Sequence, residues 1–230
     1  MFFIKFSCIL GDKIQTFKHY AKLIGFEIKS AFTENKYFLL LSTLLFVIPM
    51  LIGYFFAPNL KFFLQPMVDT FRDRVQSGDI KLTVPSIFFN NFYVALMIYF
   101  GAIFFGLITV MLLISNGLFI GYFATNLPLD IFLLLTLPHG IFEIPGIIIA
   151  GAGGFTLISF VPYFLDDIVS FEKNQYGERP KLRDRVIISF NNNYKRLSQS
   201  LTLLGVAIVL LIIAAFIEVY VTMHIANNFI

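Results

Sequence analysis

The chain has 230 residues, of which 58% are hydrophobic and 13% charged, with 30 Phe, no Trp, a formal net charge of +3 and a mean hydropathy of +0.82. A soluble domain carries about 25% charge, so an ordinary water-soluble fold is excluded, and the length allows about four to six membrane helices of roughly 20 residues each. The single cysteine, Cys8, excludes an intramolecular disulfide and any cysteine-based zinc site.

Met1 to Leu10 is apolar but too short for a cleavable signal peptide, and Lys5 interrupts it. The first span is therefore expected to serve as an uncleaved anchor. Within residues 11–36, Ile14, Phe17, Ala21, Ile24, Ile28 and Phe32 recur at steps of three and four, which predicts an amphipathic helix. Lys18, Lys22 and Lys29 occupy its other face. Two placements fit: on an anionic membrane surface, or packed on the protein's own cytosolic loop.

Phe38 to Ala57 carries no charge and reads as the first span, with Pro49 as a kink. In the mixed segment 58–91, Leu60, Leu64, Met67, Phe71 and Val75 predict a second amphipathic helix, punctuated at its end by Gly78 and Pro85. Further spans are predicted at 92–115, 117–137, 141–165 and 203–222. The apolar stretch between them is interrupted at Asn116-Gly117, at Leu127-Pro128-Leu129-Asp130 and at Pro138-His139-Gly140. Such breaks imply kinked, short or re-entrant helices whose freed backbone groups face protein or water. The last span is preceded by Pro180 to Ser200, which reads as a helix entering the membrane with Leu182, Val186, Ile187, Phe190 and Tyr194 on one side. Arg179, Arg183 and Arg185 there fit an orienting anchor or a docking site for anionic lipid or an acidic partner.

The expected fold is thus all-α: a polytopic transmembrane bundle of about five spans with kinked or broken central helices. An amphipathic helix over 1–37 precedes a single transmembrane domain over 38–222. Orientation follows from basic residues: six Lys lie in the first 37 residues and seven Lys and Arg in 166–202, against four in 58–91. This places the N-terminus and the 166–202 loop in the cytosol, with 58–91 and the C-terminus outside.

Chemistry concentrates in Pro138-His139-Gly140-Ile141-Phe142-Glu143-Ile144-Pro145-Gly146. His139 and Glu143 are four apart and share a helix face, and an ionisable pair in apolar surroundings is costly unless its members satisfy each other. The same face continues through Gly146, Ala150 and Gly153, with Gly154 beside it, small residues that let a neighbouring helix approach closely. Two readings stay open: the pair cross-links helices, or it lines a water-accessible path and binds a proton, cation or polar ligand. Asn116-Gly117 followed by Gly121 gives a turn and a GxxxG step suited to close packing, and Asn90 and Asn91 are further polar groups at a membrane edge. Glu218 and His224 are expected to snorkel to the interface without a function.

Other signals are absent. Gly151-Ala-Gly153-Gly154 lacks dinucleotide-binding spacing, and there is no Walker A, HExxH or GxSxG sequence. His139 and Glu143 supply at most two metal ligands where a closed zinc site takes four. The basic residues are too dispersed for a nucleic-acid surface. The sequence therefore reads as non-enzymatic, with no cofactor, metal or nucleic-acid partner.

The order Ile87-Phe-Phe-Asn90-Asn91, Gly101, Gly106, Asn116-Gly117-x3-Gly121, His139-Gly140-Ile-Phe-Glu143-Ile-Pro145 and Ala150-Gly-Ala-Gly-Gly154 resembles the stage II sporulation protein M family, across about residues 20–222. The resemblance implies a membrane protein of about five helices. The family's namesake holds two peptidoglycan-degrading proteins at the septal membrane during engulfment. The family is also widespread where no spores form, so sporulation does not carry over. His139, Glu143 and Pro145 match the family signature, while Gly146 stands where the namesake has Ala. Two functions are expected from this reading: a multi-pass scaffold positioning partner proteins and self-associating through small-residue faces, or a component moving a proton, ion or small solute past His139 and Glu143.

Overall fold

Backbone polar groups in lipid must be satisfied within their own segment, and the chain meets that demand with helices. The computed structural model describes residues 2–79, 81–170 and 180–225, with side chains from Lys18 onward. Lys173 and Arg179, and the side chains of Ile14 and Phe17, lie outside the described set. The elements are α1 (Phe2–Glu34), α2 (Lys36–Phe55), α3 (Ala57–Gln76), α4 (Val84–Gly101), α5 (Leu107–Phe123), α6 (Leu129–Val169) and α7 (Leu182–Ile217). A short 3₁₀ turn, Ala124–Asn126, follows α5, and a π-helical turn, Glu218–Thr222, follows α7. No strand occurs among the described residues. Among the described residues, five helices, namely α2, α4, α5, α6 and α7, are long and apolar enough to cross a membrane.

The boundaries of the central spans differ from the sequence reading. The reversal expected at Asn116-Gly117 lies instead at 102–106, where Phe105 (φ 55°) and Gly106 (φ 75°) take left-handed backbone. Phe104 and Phe105 are exposed there, and a turn made of apolar residues leaves no polar mark in the sequence. Asn116 and Gly117 sit inside α5. The break expected at Pro138-His139-Gly140 is absent too, since α6 runs unbroken through Pro138, Pro145 and Pro162. Each proline removes one backbone hydrogen bond, and the flanking turns hold the helix together.

Glycine decides the tightest contact. A Cβ on Gly117 would fall on the Phe46 carbonyl, one on Gly121 on the Met50 carbonyl, and one on Gly53 on the Leu118 carbonyl, so α2 and α5 meet backbone to backbone. On α6, Gly146 faces Leu211 and Ala207, Gly153 faces Ser200 and Tyr99, and Gly154 faces the Tyr99 backbone. Ala150 is fully buried in the core shared with Leu203 and Ala207. These small residues are filled by the chain's own α4 and α7, which leaves other surfaces for any second copy.

α3 buries Leu64 and Val68 beside Tyr122 and stacks Phe71 edge-on against Phe119 and Phe123. Tyr122 Oη donates to Gln65 Oε1 at 2.6 Å. α3 therefore caps one end of the bundle. At the opposite end, buried Asn35 donates to Ala31 O (2.9 Å) and Gln199 Oε1 (3.1 Å) and accepts from Thr156 Oγ1 (3.1 Å). This network joins the end of α1 to α6 and α7. Every α1 side chain from Lys18 to Glu27 is exposed, so no described part of the chain covers the face that carries Ala21 and Ile24.

α6 has 41 residues, about 60 Å at 1.5 Å per residue, twice the roughly 30 Å hydrocarbon core. Beyond Thr156 it continues antiparallel to the start of α7 as a stalk. Arg185 Nη1 donates to Ile168 O (2.9 Å), Asn193 Nδ2 to Asp167 Oδ2 (2.8 Å), and the Arg196 guanidinium lies 3.9 Å from the centre of the Tyr163 ring. One guanidinium nitrogen of Arg185 is thus engaged within the hairpin, whereas Arg183 is exposed.

Candidate functional site

The helical period of α6 sets His139 and Glu143 one turn apart on the face that looks toward α4, α5 and the end of α7. There they line a cavity of about 230 Å³ together with Asn90, Asn91, Asn116 and Glu218. Phe71 and Val75 of α3 form part of its wall. Among the described residues, no Lys or Arg lines it.

Within the cavity His139 Nε2 is 4.0 Å from Glu143 Oε2, and His139 Nδ1 is 3.2 Å from Thr222 Oγ1. Single donor atoms of His139, Glu143 and Glu218 all lie within 4.8 Å of one another. Asn91 and Glu143 line the same cavity. Asn90 Nδ2 donates to Asn91 Oδ1 (3.2 Å), and Arg74 Nη2 of α3 reaches Asn90 Oδ1 at 3.4 Å. A line of polar groups thus runs from the cap into the cavity. Asn116 lines the cavity while donating to Leu112 O in its own helix (2.8 Å).

The sequence-selected residues divide by place. His139, Glu143 and Asn116 converge on the cavity. Gly117 and Gly121 lie on the α2 seam, and Gly146, Ala150, Gly153 and Gly154 lie on the packed faces of α6. Pro145 is half-buried in α6 and does not line the cavity; lacking an N–H, it releases the Ile141 carbonyl from the helix ladder.

Against the expectation from its place at the end of the last span, Glu218 does not snorkel outward but lines the cavity from the π-helical turn. The signal available in the sequence was a lone carboxylate ending the apolar run Leu203–Ile217, which is expensive in lipid unless it finds an interior partner. With Glu218, the two donors counted from spacing become three.

Compared with known proteins, the sequence profile described as stage II sporulation protein M matches residues 42–223. The chain belongs to the stage II sporulation protein M family. Two uncharacterised proteins of Methanocaldococcus jannaschii are similar to it. One is 35% identical over 154 residues, covering 65% of this chain and 76% of that protein. The other is 25% identical over 210 residues, covering 87% and 88%. No solved structure matches. The matched region contains every polar residue of the cavity and most of α2, and leaves α1 outside.

Proposed function

We propose that this family member is a non-enzymatic scaffold of the cell membrane, with α1 and the stalk in the cytosol and α3 and the C-terminus outside. The observation that supports this reading is the stalk. It exposes Tyr163, Leu165 and Val169 of α6 and Leu182 and Ile187 of α7, beside Asp166, Arg183 and Asp184, whose charges suit water and not lipid. Exposed apolar side chains interspersed with charges on a packed helix pair fit a protein partner in the cytosol. The basic-residue counts supply the orientation.

The test is isolation of the intact complex from its own membrane in mild detergent, with mass spectrometry and stoichiometry on one sample. A distinct protein at fixed ratio, lost with Val169→Glu and Ile187→Glu while the bundle keeps its thermal midpoint, supports the scaffold. Recovery of a pure homo-oligomer overturns it.

The cavity favours a second reading, in which His139 and Glu143 line a path for a proton, ion or small solute. Ionisable groups inside a membrane bundle mark such paths. Proton or ion flux in liposomes that changes with Glu143→Gln supports this reading, and absence of flux in the intact assembly counts against it.

A further inference from the structure

We propose that His139, Glu143 and Glu218 bind a divalent transition-metal ion inside the bundle. This stands apart from the scaffold and transport readings, because it requires neither a partner nor a conducting path.

The donors come from two elements that pack together: α6 supplies His139 and Glu143, and the π-helical turn supplies Glu218. Their ligating atoms already lie within 4.8 Å of one another. Three ligands held about 2.0–2.2 Å from one ion are separated by roughly 3–3.5 Å, so small side-chain rotations close the site. His139 is oriented for this role. Its Nδ1 faces the Thr222 hydroxyl at 3.2 Å while Nε2 faces Glu143. A hydroxyl accepting from Nδ1–H leaves the Nε2 lone pair for a metal, the arrangement that fixes the tautomer of ligating histidines.

Charge argues the same way. Two carboxylates converge in a cavity with no lining Lys or Arg among the described residues, and uncompensated charge in such a place is costly. A doubly charged cation neutralises both at once. The donor set narrows the ion: one imidazole with two carboxylates suits first-row divalent ions such as Zn²⁺, Fe²⁺ or Mn²⁺, while Mg²⁺ and Ca²⁺ prefer oxygen alone and Cu⁺ prefers sulfur. The cavity of about 230 Å³ has room for several waters at about 30 Å³ each. The ion therefore keeps open positions, unlike a closed structural zinc site.

The experiment uses the full chain in detergent, stripped with chelator and exchanged into Zn²⁺ or Mn²⁺, with Mg²⁺ as comparison. Elemental analysis after desalting and titration calorimetry read stoichiometry and affinity, and Mn²⁺ paramagnetic resonance reads the bound ion directly. One Zn²⁺ or Mn²⁺ per chain is expected, weakened at least tenfold in Glu218→Gln and in His139→Asn and unaffected in Glu34→Gln. Glu218→Gln keeps side-chain volume, and its thermal midpoint without metal reports folding independently. A Zn²⁺-dependent rise of that midpoint in the unmodified protein, absent from a folded Glu218→Gln, supports the site even if a His139 variant does not fold. No bound metal in the unmodified protein, or equal binding by Glu218→Gln, overturns it. Both outcomes are read on isolated protein, so they are separate from the partner-recovery and flux tests.

Discussion

His139 Nδ1 and Thr222 Oγ1 lie 3.2 Å apart, linking the first third of α6 to the π-helical turn after α7. This contact orients the imidazole that faces Glu143, so Thr222 acts through His139 as a positioning residue. Thr222→Val removes the hydroxyl at nearly constant volume and is expected to weaken Zn²⁺ or Mn²⁺ binding about 10–100-fold. Thr222→Ser restores it. Equal affinity in all three proteins by calorimetry would show that the hydroxyl does not orient the ring.

The α2–α5 seam yields a stability prediction. Any Cβ at Gly117 or Gly121 meets a backbone carbonyl of α2, and backbone cannot rotate away as a side-chain tip does. Gly117→Ala and Gly121→Ala are each expected to cost about 1–3 kcal/mol by overpacking, seen as a lower thermal midpoint in detergent. Gly205 in α7 has nothing within 4 Å, so Gly205→Ala is expected to gain up to about 1 kcal/mol from helix propensity. Equal effects at the three sites would contradict the backbone contact.

A third prediction concerns the buried amides joining α1 to the bundle. Asn35→Leu deprives Gln199 Oε1 of its donor and removes the oxygen that accepts from Thr156. The expected loss is about 1–3 kcal/mol, read as a lower thermal midpoint, with spin-label distances showing α1 swinging away from α7. An unchanged distance distribution would mean that apolar packing of Ala31 and Phe32 holds α1 unaided.

Acid should act on the neighbouring ion pair. The Lys195 ammonium donates to Glu34 at 2.7 Å, and this hydrogen bond, followed by those of Gln199 and Ser30, lowers the Glu34 carboxyl from 4.5 to about 2. A lowered carboxyl contributes stability that is fully present above about 4.5 and is lost as pH falls through about 2. Both side chains are largely exposed, so screening keeps the contribution small. The α1–α7 distance in the unmodified protein is expected to broaden across that window, and Glu34→Gln to abolish this acid dependence. Identical profiles in the two proteins would contradict the assignment.

Fold class and five spans were legible in the sequence, because lipid demands long runs of apolar residues with internally paired backbone. The pairing of His139 with Glu143 was legible for a similar reason, since a helical period alone places them on one face. The turn at 102–106 was hidden, because its exposed residues, Phe104 and Phe105, are as apolar as the helices it joins. The continuity of α6 through Pro138 and Pro145 was also hidden, since whether a proline ends a helix depends on what packs around it.

Glu218 marks the boundary most sharply. Its cost in an apolar run was visible from the residues alone, but not the direction in which it turns. That direction depends on α7 packing along α6 through Gly146, Ala207 and Leu211 and on the π-helical turn that carries Glu218 toward His139. Both are relations between segments far apart in the chain. Local periodicity determines which residues share a face of one helix, whereas only the packing of helices decides which faces meet and closes three donors around one cavity.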